Sequence, residues 1–174
     1  YGIAHIPGKL GNFLYLIFTL GQIIPFHSIM IALSVQLTNA NLLNNLTVLI
    51  LLYAGFHGAF GIFTYVGFLK SIPKELEEAA AIDGCGMFRC MWQVIFPLVR
   101  STSITLLVLF FLWTWNDFLM PNLYVSDSGL RTLTVAIYMF KSTSGSEWNL
   151  MLAGMTLSMV PIIIIYIAAQ KYIT

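Results

Sequence analysis

Four long apolar segments, separated by short polar stretches, set the strongest constraint on what this chain can fold into. Aliphatic, aromatic and small residues dominate positions 10–37, 46–69, 101–125 and 149–173. A transmembrane helix needs about 20 predominantly apolar residues, so each segment is long enough to cross a bilayer. Only 9% of the residues are charged, whereas soluble domains carry about 25%. The pattern therefore predicts an all-α, multi-pass membrane protein with four full spans.

The first apolar segment is interrupted in its middle, which marks a candidate translocation path. Pro25 lies there, flanked by the polar side chains of Gln22 and His27. Proline removes a backbone hydrogen-bond donor and kinks or breaks a helix. Broken helices near the bilayer midplane line substrate pathways in many transporters. A kink that serves only helix packing is the alternative interpretation.

Three polar side chains in later segments extend this candidate path. His57 lies near the middle of the second segment, where an ionisable residue is a functional candidate by default. A neutral histidine bonded to a neighbouring helix is the alternative. Asn116 and Asp117 lie toward the far end of the third segment, beside Trp113 and Trp115. They either line a vestibule or anchor the helix end at the aromatic belt of the membrane interface.

A charged stretch, residues 70–100, separates the second and third apolar segments and holds four of the seven acidic residues. An early proline followed by three glutamates predicts a helix start, and Gly84 and Gly86 predict a turn after that helix. A second short helix is expected at 87–94, ended by Pro97. Its apolar side chains share one side of the predicted helix: Met87, Phe88, Met91, Trp92 and Ile95.

This helix–glycine–helix unit exposes aromatic and methionine side chains, which suit a groove on a partner protein. An amphipathic pair lying on the membrane surface is the alternative, although its glutamates would then face anionic lipid. Cys85 and Cys90 lie in the same stretch without the nearby Cys or His partners that zinc requires. The sequence therefore predicts two reduced thiols and no metal site.

The distribution of positive charge predicts which loops face the cytoplasm. With four spans, both ends of the chain and residues 70–100 share one side, which carries six of the eight Lys and Arg residues. By the positive-inside rule that side is cytoplasmic, and the loops at 38–45 and 126–148 are external. Residues 132–140 are predicted to form a short interfacial helix. The net charge of +1, without any Lys/Arg run, argues against a nucleic-acid partner.

Two sets of residues resemble a known family. The first set resembles the EAA motif of the inner-membrane permease subunits of binding-protein-dependent ABC importers. It consists of Glu78-Ala79-Ala80, followed by Asp83-Gly84 and by Ile95-x-Pro97. Further segments are similar to the carbohydrate-uptake branch of that family, in its MalG-like half. They are IPFHSIM at 24–30, SIPKELEEAA at 71–80, WTWNDF at 113–118, LRTLTV at 130–135 and QKY at 170–172.

The resemblance implies a fold and a set of coupling residues. The fold is the type I ABC importer transmembrane domain (MetI-like), with residues 1–174 forming one partial domain and four of a probable six spans present. Residues of about 70–100 are then the coupling loop that seats in a cleft of a cytoplasmic ATPase. The implied ATPase-coupling residues are Glu78, Ala79, Ala80, Asp83, Gly84, Phe88, Trp92, Ile95 and Pro97.

The resemblance also implies a function and partners. The chain is expected to be a membrane-spanning permease subunit of an ATP-driven sugar importer in a bacterial or archaeal cell membrane. The expected partners are a second permease subunit in a heterodimer, two cytoplasmic ATPase subunits, an extracytoplasmic sugar-binding protein and the lipid bilayer. No P-loop pattern is present, so ATP is expected to bind the partner ATPase, and this chain needs no cofactor.

An ion-coupled secondary transporter is the alternative function. His27, His57 and Asp117 would form its proton or ion path, but three scattered side chains make a poor relay and leave residues 70–100 unexplained. An intramembrane enzyme is disfavoured because the sequence has no HExxH or GxSxG pattern and no paired membrane carboxylates. We therefore predict no catalytic residues in this chain.

Overall fold

The computed structural model describes residues 1–141 and 147–173, which fold into helices joined by short turns and so confirm the all-α prediction. The helices before the charged stretch are α1 (Gly2–His5), α2 (Lys9–Ile23), α3 (Phe26–Asn39) and α4 (Leu46–Leu69). Those within the charged stretch are α5 (Glu75–Ile82), α6 (Met87–Cys90), a π-helical turn (Met91–Ile95) and α7 (Phe96–Leu98). The remaining elements are α8 (Arg100–Asn116), α9 (Leu119–Tyr124), a 3-10 turn (Ser128–Leu130), α10 (Leu133–Tyr138) and α11 (Trp148–Ile173).

The chain forms two compact units. The first comprises Tyr1–Ile24, Phe56–Leu107 and the chain from Tyr172, and it contains the whole charged stretch. The second comprises Pro25–Gly55 and Val108–Lys171. The single transmembrane domain expected for residues 1–174 stays a prediction.

Two helices among the described residues, α4 and α11, are each long and apolar enough to cross a membrane. Two bent helix pairs raise that number to four if each pair counts as one span. The predicted second span matches α4 residue for residue, and the predicted last span begins one residue after α11 does. The helix of the last span continues through Pro161.

The predicted first span is broken at Pro25, as its sequence indicates. Helix α2 ends at Ile23, and Ile24 and Pro25 adopt extended backbone before α3 begins. Proline disfavours helical backbone in the residue before it and has no N–H to donate. The interruption is therefore a complete break in the helix rather than a kink.

The third predicted span, about residues 101–125, is not one continuous helix to its predicted end. Helix α8 ends at Asn116 and α9 begins at Leu119. Asp117 Oδ1 accepts a hydrogen bond of 3.0 Å from the Leu119 backbone N–H. A short polar side chain that accepts a hydrogen bond from the backbone two residues later competes with continued helix. This explains why α8 ends before Asp117 and a new helix begins at Leu119.

The two predicted external loops are tied together within the second unit by Asn44. Its side-chain oxygen accepts from the backbone N–H of Ser126 at 2.6 Å and of Asp127 at 2.9 Å. Its own N–H donates to the Tyr124 carbonyl at 2.9 Å. Helix α10 confirms the predicted short helix at 132–140. Residues 142–146 of the predicted 126–148 loop lie outside the described residues.

Candidate functional site

Helix α5 of the charged stretch ends in a Schellman motif centred on Gly84. The N–H of Cys85 donates to the Ala80 carbonyl at 2.9 Å, and the N–H of Gly84 donates to the Ala81 carbonyl at 3.0 Å. Gly84 has φ +75°, a left-handed conformation that glycine adopts without a steric penalty. The turn predicted at Gly84 is therefore present, and its backbone geometry explains why glycine is used there.

The three glutamates of the first turn of α5 differ in their surroundings. Glu75 and Glu78 are exposed, whereas Glu77 is half-buried. All three lie where the positive end of the helix dipole favours negative charge, which supports the predicted helix start. The carboxylate of Glu78, a predicted coupling residue, accepts no hydrogen bond from any other described residue and faces solvent.

The second helical part of the helix–glycine–helix unit, which follows Gly86, continues past Pro97. The prediction that Pro97 ends this helix is therefore wrong. Helix α6 passes into the π-helical turn, in which the Phe96 N–H donates to the Met91 carbonyl, and α7 then carries the chain to Leu98. A proline inside an α-helix lacks the donor for the i−4 bond, and its ring crowds that carbonyl. The wider π turn accommodates both effects.

The inner face of the unit is an apolar core. Ala80, Cys90, Ile95 and Val99 are buried together, and Tyr1, Tyr65, Leu69, Ile72, Cys85 and Val94 pack against them. Ile95 is only 2% exposed, so it does not share the solvent-facing side predicted for it with Phe88 and Trp92. The π turn changes the angular spacing of side chains between Met91 and Ile95, so the face predicted for a regular α-helix does not apply to Ile95.

The outer face of the helix–glycine–helix unit is apolar and largely uncovered by the rest of the described chain. Four side chains around the Gly84 turn carry it: Ile82 is 87% exposed, Phe88 79%, Met87 60% and Trp92 58%. Trp92 also contacts the Phe96 ring, with centroids 5.0 Å apart. Large exposed apolar side chains grouped in one region indicate a protein or membrane interaction site. We call these four side chains the outer apolar patch.

The predicted coupling residues divide between these two faces and the turn. Phe88 and Trp92 lie in the outer apolar patch, whereas Ala80 and Ile95 belong to the core. Those on the exposed surface of the unit apart from the patch are Glu78, Ala79, Asp83, Gly84 and Pro97. Ile82 is the most exposed member of the patch and was not among the predicted residues. Its sequence signal is an apolar residue directly before an Asp-Gly pair.

A contact that the sequence did not predict joins the start of the chain to α5. His5 Nε2 lies 2.7 Å and 2.9 Å from the two carboxylate oxygens of Glu77. The Tyr1 hydroxyl donates to Glu77 Oε2 at 3.4 Å, and its ring lies 4.0 Å from the His5 ring. Burial raises the pKa of Tyr1, and the negative charge of Glu77 raises it further, to about 12. The Tyr1 hydroxyl is therefore a donor throughout the physiological pH range.

The candidate path residues are distributed over both units. Gln22, Pro25 and His27 are exposed, and His57 is half-buried. The His27 and Phe26 ring centroids lie 6.1 Å apart, and among the described residues His27 forms no hydrogen bond or ion pair with Asp117. Their assignment to a translocation path stays a prediction.

Asn116 and Asp117 are held by local and long-range hydrogen bonds. Asn116 Nδ2 donates to the Leu112 carbonyl at 2.8 Å. Asp117 Oδ2 accepts from the Tyr53 hydroxyl at 2.7 Å, and the Asp117 carbonyl accepts from Thr134 Oγ1 at 2.7 Å. With Leu119 on Oδ1, both carboxylate oxygens are engaged. This geometry favours the anchoring interpretation of Asp117 over a vestibule role.

The known proteins that are similar to this chain are components of transport systems. A family model described as binding-protein-dependent transport system inner membrane component matches residues 2–174. The probable starch degradation products transport system permease protein AmyC of Thermoanaerobacterium thermosulfurigenes is 42% identical over 98% of this chain and 62% of its own length. The melibiose/raffinose/stachyose import permease protein MelC of Bacillus subtilis is 30% identical over 99% and 63%.

A third relative carries a different substrate name. The sn-glycerol-3-phosphate transport system permease protein UgpE of Yersinia pestis is 30% identical over 99% of this chain and 61% of its own length. The chain therefore spans about three fifths of the length of the curated relatives it matches.

Proposed function

Because the chain belongs to the family of binding-protein-dependent transport system inner membrane components, we propose that it forms part of a permease subunit of an ATP-driven sugar importer. Its place as a multi-pass membrane protein follows from that family and from its long apolar helices. The sugar assignment is supported by relatives named for starch degradation products and for melibiose, raffinose and stachyose.

The observation that carries the coupling proposal is the outer apolar patch. Ile82, Phe88 and Trp92 lie around a turn that Gly84 keeps free of a side chain, and each is more than half exposed within the described part of the chain. Burying one large apolar side chain contributes about 1.5–3 kcal/mol. Burial of this patch in a groove on a partner would therefore contribute several such increments of binding free energy. We propose that the patch binds in a cleft of a cytoplasmic ATPase subunit.

The ATPase supplies the chemistry in this proposal, and this chain supplies the mechanical link. Each of two ATPase subunits binds ATP, and their closure draws the coupling loops of two permease subunits together. The membrane helices then rock between inward-facing and outward-facing states, as packed helical interfaces do in two-state transitions. An extracytoplasmic binding protein delivers the sugar to the side opposite the ATPase.

The orientation proposed for the chain rests on charge. Both ends of the chain and residues 70–100 are cytoplasmic, because that side holds six of the eight Lys and Arg residues. This orientation puts the outer apolar patch on the side where an ATPase has access to cytoplasmic ATP.

The comparisons favour this function over an ion-coupled secondary transporter, since the family and the named relatives are components of binding-protein-dependent or permease systems. The contacts of Asp117 point the same way. Both of its carboxylate oxygens accept hydrogen bonds from within the protein. The one acidic side chain of the alternative ion path is therefore already used in structural hydrogen bonds.

Co-purification of the ATPase with variants of the full-length subunit tests the proposal. Phe88→Ser removes apolar surface from the patch, and we expect the amount of bound ATPase to fall about tenfold or more, given the free energy of burying a phenylalanine. Leu76→Ser, on α5 outside the outer apolar patch and 41% exposed, is the matched control and should retain the ATPase. Equal ATPase recovery with Phe88→Ser and wild type would contradict docking through this patch.

A further inference from the structure

We propose that residues 1–9, here named the lead-in segment, act as a strut between α2 and the coupling helix α5, with Glu77 as the positioning residue. This inference rests on the proposed function, because it assigns a role within the coupling of ATPase to membrane helices. The lead-in segment, α2, α5 and the end of α4 all belong to the first compact unit.

The attachment of the strut to α5 is the Glu77 carboxylate. Both of its oxygens lie within 2.9 Å of His5 Nε2, and the Tyr1 hydroxyl adds a third, longer contact. Charge-assisted hydrogen bonds of this length are roughly twice as strong as neutral ones. Glu75, two residues earlier in α5, is exposed, and its side chain makes no hydrogen bond within the described residues. The contact is therefore particular to Glu77.

The attachment of the strut to α2 depends on two glycines. Gly8 has φ +77°, which turns the chain from α1 into α2. A Cβ at Gly11 would lie 2.4 Å from the Ile6 carbonyl oxygen, well inside van der Waals contact. Only glycine allows the lead-in segment to lie this close to the first turn of α2, so the two move together.

Helix α2 is in turn fastened to the end of α4. Tyr15 stacks on Phe63, with ring centroids 6.3 Å apart, and the Lys70 ammonium lies 4.9 Å above the Tyr15 ring. Tyr1 also packs against the core formed by Ala80, Cys90, Ile95 and Val99. A displacement of α5 therefore reaches α2 through Glu77 and the lead-in segment, in addition to the covalent route through residues 70–74.

Glu77 lies on the side of α5 that faces the lead-in segment and is only half-exposed, whereas the outer apolar patch surrounds the Gly84 turn. Loss of the Glu77 contact should accordingly leave ATPase association intact and weaken the transfer of movement. The quantity to measure is sugar uptake per ATP hydrolysed by the complete, full-length transporter in proteoliposomes. ATPase co-purification is measured in parallel.

A double-mutant cycle between His5 and Glu77 tests the strut. Glu77→Ala and His5→Ala are each expected to lower uptake per ATP about fivefold, as loss of a partly exposed charge-assisted hydrogen bond allows. The double variant should be no worse than either single one, since both remove the same contact. Glu77→Gln keeps one oxygen that accepts from His5 but loses the charge, so its uptake per ATP should lie between those of Glu77→Ala and wild type. Glu75→Ala is the matched control and should behave as wild type.

The outcomes separate the strut from the proposed function. Additive losses in the cycle, or an unchanged uptake per ATP in both single variants, would overturn the strut while ATP-driven uptake by the wild type stands. Absence of ATP-driven uptake by the wild-type complex would instead overturn the proposed function. If Glu77→Ala fails to insert into the membrane, His5→Ala reports on the same contact from its other side, and wild-type coupling in that variant would refute the strut.

Discussion

The Tyr53 hydroxyl donates a 2.7 Å hydrogen bond to Asp117 Oδ2, joining α4 to the junction between α8 and α9. Asp117 is also the residue at which the predicted third span breaks, because its other oxygen binds the Leu119 N–H. Asp117 thus lies at the end of α8, bonds the first residue of α9 and is hydrogen-bonded to α4. Its place in the sequence, beside two tryptophans at the end of an apolar segment, reflects this structural role.

Asp117→Ala should destabilise the protein by about 1–3 kcal/mol, because it leaves the Tyr53 hydroxyl and the Leu119 N–H without their acceptor. Asp117→Asn should fold nearly as well as wild type and transport sugar, since an amide oxygen can replace one of these acceptors. Thermal unfolding in detergent and uptake in proteoliposomes measure the two effects. A normally folded Asp117→Asn variant without uptake would instead assign the carboxylate to the translocation path.

Gly84→Val should abolish coupled uptake while the subunit still inserts into the membrane. A β-branched residue at φ +75° is strained by about 1–2 kcal/mol or more. It also places a side chain where the turn approaches its partner. Gly84→Asn should be milder, because asparagine tolerates the left-handed region.

Gly86→Ala is the control for that experiment. Gly86 has φ −68° and nothing lies within 4 Å of an added Cβ, so uptake should remain close to wild type. A Gly86→Ala defect as large as that of Gly84→Val would show that the effect does not come from the positive φ of Gly84.

Ile95→Ala and Ile82→Ala remove the same atoms from the inner and outer faces of the helix–glycine–helix unit. Ile95 is buried, so its truncation should cost about 2–5 kcal/mol of stability. Ile82 is 87% exposed, and its truncation should change stability by at most about 0.5 kcal/mol while lowering ATPase co-purification. Thermal unfolding and co-purification distinguish the two, and a reversed order would contradict the assignment of the faces.

Asn44→Ala should loosen the segment that follows α9. The side chain of Asn44 accepts from two backbone N–H groups at 2.6 Å and 2.9 Å, and the residue itself has φ +55°. Loss of both bonds together with alanine in left-handed backbone should cost about 2–4 kcal/mol. Hydrogen exchange at Ser126 and Asp127 reports the change directly, and unaltered protection of those amides would contradict it.

The sequence predicted those parts of the fold that depend on local pattern. Continuous apolar composition defined α4 to the residue, proline located the break before Phe26, and Gly84 located the turn after α5. The family resemblance predicts that the charged stretch is a coupling element, and this stays a prediction. The structure adds the exposed surface on which that assignment depends.

The parts that the sequence did not predict depend on long-range contacts or on competition between nearly equal local structures. The helix break at Asp117 and the π turn before Pro97 are choices between continued α-helix and a side-chain or wider-turn alternative. The contact of His5 with Glu77 joins residues 72 positions apart, which no periodicity indicates. Ile95 lies in the core with Ala80, Cys90 and Val99, and a regular helical spacing did not predict this position.

Site-specific photocross-linking from Phe88 tests most directly whether the outer apolar patch is the ATPase contact. A photoreactive phenylalanine analogue at this position, in the full-length subunit within the assembled transporter, should yield a product that contains the ATPase. The same analogue at Leu157, which is 70% exposed on the membrane helix α11, should yield none. An ATPase product from Phe88 alone is the result we predict, and its absence from an assembled, ATP-hydrolysing complex would contradict the coupling role of this surface.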